Sequence, residues 1–133
     1  MAAVVLDTDV ISFIFKKDTR GFLYRPHLLG KDRHVSFMTL AELDRWALAR
    51  RWGTATRTKL ERFLQPYGVV YADRELCHRW SEVVHQADRK GHRIGESDAW
   101  IAATALVLDI PLVTHNAADY QGVEGLDLVT AEG

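Results

Sequence analysis

The run from Ala2 to Leu6 is wholly apolar and stops on a carboxylate, Asp7, with a second acid close behind it in VVLDTDVIS. No other stretch limits the fold so tightly. A half-buried strand alternates apolar and polar residues. A run with no polar face suits a strand covered on both sides, as in a parallel sheet between helical layers. An ionised carboxylate at the edge of such a core costs free energy unless a partner or a bound cation offsets it.

The rest of the chain supplies the crossovers a parallel sheet needs. Helical spacing is expected from Asp9 to Lys17, with a second short helix over Gly21–Leu29 and a strand at His34–Phe37. Thr39 is the expected N-cap of the helix AELDRWALARRW, which ends at Gly53. Thr54 is expected to cap a helix running to Leu64, stopped by Pro66. Gly68–Ala72 reads as a third strand, and Asp73 opens a helix through Lys90 that ends at Gly91. Ser97–Leu108 (SDAWIAATALVL) is apolar almost all round, the mark of a buried central helix. Leu112–Thr114 and Leu126–Val129 complete five strands. The alternation predicts one α/β domain over 1–133, with a central parallel sheet covered on both faces. In such sheets ligands sit beyond the C-terminal strand ends, and Asp7 falls at that edge.

Three further acids fall on the same side. Glu42 lies in the first turns after the second strand, Asp98 at the start of the buried helix, and Asp119 in the loop THNAADY after the fourth strand. Each alone also reads as a cap, a helix-terminal carboxylate or a turn residue; together they predict one acidic cleft. Like charges about 4 Å apart repel by roughly 1 kcal/mol in water and about 4 kcal/mol at an effective dielectric of 20. Such a cluster calls for a cation. Oxygen ligands with no Cys or His cluster favour Mg2+ or Mn2+ over zinc, and Mg2+ leaves room for water and substrate phosphate.

Charge and composition narrow the partners. The 133 residues carry a net charge of −1, which is no footprint of a strongly basic nucleic-acid binder. Yet Arg45, Arg50, Arg51, Arg57, Lys59 and Arg62 face a single anion, Glu61, over one short stretch, and Arg89, Lys90, His92 and Arg93 form a second basic run. These are either solvated helix faces or a cationic rim for a polyanion. Arg45, Arg50, Arg89 and Arg93 are the candidate phosphate contacts. A single cysteine, Cys77, and no long apolar run, signal peptide or lipidation motif point to a cytoplasmic chain with no membrane partner.

Four blocks, LDTDVIS, TLAEL, SDAWIAATA and LVTHNAADY, resemble in order those of the PIN-domain ribonucleases, especially the VapC toxins of VapBC toxin–antitoxin pairs. They span Leu6 to Tyr120. The resemblance implies a three-layer α/β/α sandwich and a magnesium-dependent endoribonuclease leaving 5′-phosphate and 3′-hydroxyl ends. It implies Asp7 and Asp98 as the principal metal ligands, Glu42 as the acid that holds or activates water, and Asp119 as the fourth acid. Thr8, Thr114 and Asn116 would support the site. It also implies an RNA substrate, a VapB-type antitoxin whose tail fills the cleft, and a homodimer; the aromatic and apolar residues of the middle helices either feed such interfaces or belong to the core. The chain departs from the pattern at Asp9, where many relatives carry Asn, and at Trp46, where a small residue is common.

Three other readings compete. VVLDTDVI also resembles the first motif of haloacid-dehalogenase-type phosphatases, with Asp7 as nucleophile and Asp9 as its acid/base partner. That family and the phosphoacceptor receiver domains need a later lysine, and the last lysine here is Lys90. A PIN domain serving only as an RNA-binding scaffold is the third reading; the presence of all four acids weighs against it.

Overall fold

The computed structural model describes residues 2–131. Five parallel strands, β1 (Ala3–Leu6), β2 (Asp32–Ser36), β3 (Gly68–Val70), β4 (Leu112–Val113) and β5 (Leu128–Val129), form one sheet in the order β3-β2-β1-β4-β5. Between them run α1 (Thr8–Phe15), α2 (Thr19–Phe22), α3 (Arg25–Leu28), α4 (Phe37–Ala49), α5 (Thr54–Leu64), α6 (Arg74–Arg89) and α7 (Glu96–Leu108), with a 3-10 turn at Ala117–Tyr120.

Strand parity sorts the core into two layers. Val4 and Leu6 of β1, with Val35 and Val113, face Val10 and Ile11 of α1, Leu43 of α4, and Leu60 and Leu64 of α5. Val5 and Leu112 face the opposite way, onto Leu76 and Val83 of α6 and Ile101, Ala102 and Ala105 of α7. The result is an α/β/α sandwich. Its central strand is buried on both faces, as the unbroken apolar run requires. Helix α7 lies deepest, with Ala99, Ile101, Ala102, Ala103 and Thr104 all inaccessible to solvent.

The chain leaves β1 towards β2 on one side and returns to β4 on the other. The order therefore reverses between β1 and β4, and a crevice opens at their C-terminal ends. Asp7 follows β1 and Thr114 follows β4, so both sit at the mouth of that crevice.

Several boundaries differ from those the sequence suggests. Helix α4 begins at Phe37, capped by Ser36, whose hydroxyl accepts from the Met38 N–H at 3.0 Å. Thr39 is thus not a cap; it lies inside the first turn with its side chain turned inward. Gly53, not Thr54, is the cap residue of α5. The expected helix over Gly21–Leu29 is two pieces. Pro26 can occupy only the first turn of a helix, and a new one starts around it. Gly91, at φ +72°, ends α6 as expected.

Candidate active site

Asp7 is the pivot. It caps α1 through Oδ1, which accepts from the Thr8 N–H at 2.7 Å. Oδ2 accepts from the Thr114 hydroxyl at 2.8 Å and the Tyr120 hydroxyl at 2.7 Å. The residue is only 6 % exposed. The Tyr120 hydroxyl also lies 3.4 Å from Asp98 Oδ1, so one phenol stands between the two carboxylates. Its single proton goes to the nearer, Asp7. Asp98 is placed in the first turn of α7, whose N-terminus opens onto the crevice.

Glu42 joins from α4. Its Oε1 accepts from the Thr8 hydroxyl at 2.8 Å, and Thr8 lies 2.9 Å from the hydroxyl of Thr39. Thr8 has one proton and gives it to the carboxylate, so Thr39 donates to Thr8. Both threonines are buried. This chain of bonds fixes α1 against α4 and aims Glu42 at the crevice.

Asp9 lies near enough to Asp7 to feel its charge, and its carboxylate is bound by the loop after β4 and the first turn of α1. Its Oδ1 accepts from the Val10 N–H at 2.6 Å, and its Oδ2 accepts from the His115 N–H at 3.1 Å and the Asn116 side-chain amide at 2.9 Å. It ties the loop after β4 to the first turn of α1. The Asn116 N–H donates in turn to the Thr114 hydroxyl oxygen at 3.1 Å. Asn116 therefore touches Asp9 and Thr114 and reaches Asp7 only through the latter. Asp119 is exposed at the rim, near enough that its charge raises the pKa of both Asp7 and Asp98. The structure thus brings Asp7, Thr8, Glu42, Asp98 and Thr114 together and leaves Asp119 and Asn116 at the edge.

The electrostatics are those of an unbalanced acidic cleft. Burial raises the pKa of Asp7 against the lowering effect of its hydrogen bonds from Tyr120, Thr114 and Thr8. Asp98 is pushed up to about 6 by burial, then by the charges of Asp7, Asp119 and Glu42. Burial and the Asp7 charge push Asp9 to about 7. Burial also raises Glu42, partly offset by the Thr8 hydrogen bond. Among the described residues, no ion pair reaches any of these carboxylates.

The donor chemistry fits a hard divalent cation: carboxylate oxygens with neighbouring hydroxyls, and a surplus of negative charge. No three acidic, His or Cys side chains among the described residues close into a complete metal cage. Asp7 and Asp98 instead approach each other as a pair across Tyr120, which suits an ion that keeps much of its own water.

Tyr120 and Thr39 are site residues that the sequence does not single out. Tyr120 ends the fourth block, and an aromatic residue there reads as core. Only the 3-10 turn, which swings its hydroxyl onto Asp7, shows its polar use. Of the candidate phosphate contacts, Arg45 lies near enough to Glu42 to lower its pKa. Arg50 stands beside Trp46 at the far end of α4. Arg89 is exposed in the last turn of α6, and Arg93, in the loop leading to α7, approaches Asp88 at 3.9 Å.

An open parallel sandwich with acids gathered at its switch point defines a class of metal-dependent nucleases. The chain belongs to the PIN-domain family, whose pattern matches residues 4–123. Within that family it is similar to the VapC ribonucleases. It is 31% identical over 124 residues to Ribonuclease VapC1 of Haemophilus influenzae (strain R2866), covering 92% of each chain. It is 26% identical to Ribonuclease VapC1 of Methanocaldococcus jannaschii, covering 94% of this chain and 84% of the relative. The fold matches the crystal structure of VapBC2 from Rickettsia felis bound to a promoter DNA fragment, with a TM-score of 0.85 at 22% identity over 96% of this chain and 98% of that one. It also matches VapBC-1 from nontypeable Haemophilus influenzae, with a TM-score of 0.76 at 25% identity over 97% and 98%.

Proposed function

We propose that this protein is a magnesium-dependent endoribonuclease and the toxin of a VapBC-type pair. The observation that carries the reading is the Asp7–Tyr120–Asp98 arrangement, flanked by Glu42 and engaged by no ion pair among the described residues. Asp7 and Asp98 would hold the ion. A divalent cation bound there would supply positive charge to the scissile phosphate and acidify a water.

The chain's own groups do the rest. Thr114 and Tyr120 fix the Asp7 carboxylate, so its ligand oxygen needs no reorganisation as charge develops. Thr8 orients Glu42 through Oε1, and Glu42 Oε2 accepts the proton of the attacking water. Asp119 adds a carboxylate at the rim, and Arg45, Arg89 and Arg93 contact the RNA backbone without reading its sequence. Products carry 5′-phosphate and 3′-hydroxyl ends. Against the phosphatase reading, both oxygens of Asp9 are engaged by the N–H groups of Val10, His115 and Asn116.

Two VapBC complexes among the similar solved structures support an antitoxin partner for this chain. The protein acts in the cytoplasm as a homodimer. Among the described residues no helix is long and apolar enough to cross a membrane.

The test is Asp98→Asn. The variant keeps the fold by circular dichroism and loses magnesium-dependent cleavage of RNA by roughly a hundredfold or more, the scale of effect for removing one electrostatic stabiliser. Wild-type rates in the folded variant would reject the assignment.

A further inference from the structure

Two cations on the helices that flank the acidic cleft are gathered by a single aromatic ring. Lys16, at the C-cap of α1, places Nζ 5.6 Å from the centroid of the Trp46 ring. Arg50, at the C-cap of α4, places its guanidinium carbon 5.2 Å from the same centroid. Both are exposed. Neither takes part in the ion pairs among the described residues, which engage Arg20, Arg79, Lys90 and Arg93.

Two like charges at one ring repel. Desolvation, then the charge of Arg50, lowers the pKa of Lys16; Asp18 acts against that lowering and Arg20 adds to it. The negative face of the indole offsets part of that repulsion. Trp46 is itself held by packing against the core layer that contains Leu43 and Leu60. What the arrangement lacks is an ion-paired anion; Asp18 acts on Lys16 only from beyond ion-pair distance.

Position says which anion. Glu42, Trp46 and Arg50 are spaced by four residues, so they lie along one stripe of α4. From Glu42 to Arg50 that stripe rises about 12 Å at 1.5 Å per residue. At about 3.4 Å per stacked nucleotide, this is the length of about three to four nucleotides. A strand whose bond is cut at the acids must leave the cleft along some face, and this stripe offers fixed positive charge on the way.

We propose that Lys16, Trp46 and Arg50 form a seat for backbone phosphates of the single-stranded RNA leading away from the scissile bond. The proposal rests on the ribonuclease reading above. The indole acts as the organiser, holding two cations in register with the cleft.

The experiment compares wild type with Lys16→Ala/Arg50→Ala, Trp46→Leu and Trp46→Phe on one fluorescent single-stranded RNA oligonucleotide. Initial rates are read in Mg2+, and anisotropy is read in chelator, where no cleavage occurs. The double charge variant raises KM about tenfold with kcat within about twofold, the pattern of lost uniform binding. The slope of log affinity against log salt becomes shallower by about 0.7 for each phosphate that is no longer neutralised. Trp46→Leu raises KM in the same direction, and Trp46→Phe restores most of the loss. The charge substitutions fall on exposed side chains, so they keep the test decisive even where Trp46→Leu disturbs packing.

An unchanged KM and salt slope in the double variant, with wild type cleaving RNA, overturns the seat and leaves the nuclease reading standing. Failure of folded wild type to cleave any RNA in Mg2+ or Mn2+ overturns that reading first. A loss of poly-glutamate binding as large as the loss of RNA binding overturns the seat as well, because it would mark a docking face for an acidic polypeptide.

Discussion

Tyr120 holds one proton between two acids, and much of the site's behaviour follows from that hydroxyl. Its bond to Asp7 Oδ2 is the shorter of the two side-chain bonds that oxygen receives, and it lowers a pKa that burial raises. Tyr120→Phe keeps the ring and removes the donor. The expected cost is about 1.5–3 kcal/mol in urea unfolding near neutral pH, the range for hydrogen bonds to charged groups. Asp7 then gains a proton more readily, so the acidic limb of the rate–pH profile moves to higher pH. An unmoved profile would remove Tyr120 from the machinery. Asp7, Glu42 and Asp98 are legible in the sequence because each follows a strand or opens a helix on the same sheet edge. Asp9 is ambiguous there because its partners, His115 and Asn116, are more than a hundred positions away. Tyr120 is invisible for the same reason: a phenol reads as core until its hydroxyl has a target.

Helix α4 shows how the start of an element aims a side chain. Ser36 ends β2, caps α4 and is fully buried, so the register of the helix is fixed just before Thr39 and Glu42. Ser36→Ala should cost about 1 kcal/mol, a usual value for a lost N-cap. It should lower the cleavage rate more than that small loss of stability explains, since the first turn carrying Thr39 loosens. Equal activity in a folded, destabilised variant would show that Glu42 is aimed from elsewhere. Helix α7 offers a separate check. Ala102 is inaccessible to solvent and faces the layer of Val5 and Leu112, so Ala102→Leu should destabilise by about 1–3 kcal/mol through overpacking. The order and type of the five strands and the main helices are readable from apolar runs and breakers. The expected cap of α4 falls three residues late, because Ser36 and Thr39 are both good caps and only strand pairing with β3 shows where β2 ends. The break at Tyr24 in the expected second helix is also hidden, since Tyr24 is drawn into the core and its hydroxyl reaches His115.

At the scale of the molecule, the acidic cleft is a stability defect that a bound cation is expected to repair. The sheet gathers carboxylates from residues 7, 9, 42 and 98 into one crevice, and no ion pair among the described residues reaches them. Asp98 rises from an ordinary 3.8 to about 6 and Asp9 to about 7, and Asp7 is raised as well. Between roughly pH 4 and pH 7 the unfolded chain therefore releases protons that the native state retains. The native state binds more protons across that window, so stability falls as pH rises through it. In chelator, the thermal midpoint is expected to decline from about pH 4.5 to about pH 7.5. Asp98→Asn, which removes one of the titrating acids, should flatten the decline. Added Mg2+ or Mn2+ binds the ionised cleft and stabilises by about 2.7 kcal/mol at roughly a hundred times its Kd. That gain should be large near the upper end of the window and small near the lower end, where protons already occupy the carboxylates. A midpoint that climbs with pH in chelator, or a cation effect of equal size at both ends, would mean that the four acids are not the coupled cluster the fold makes of them.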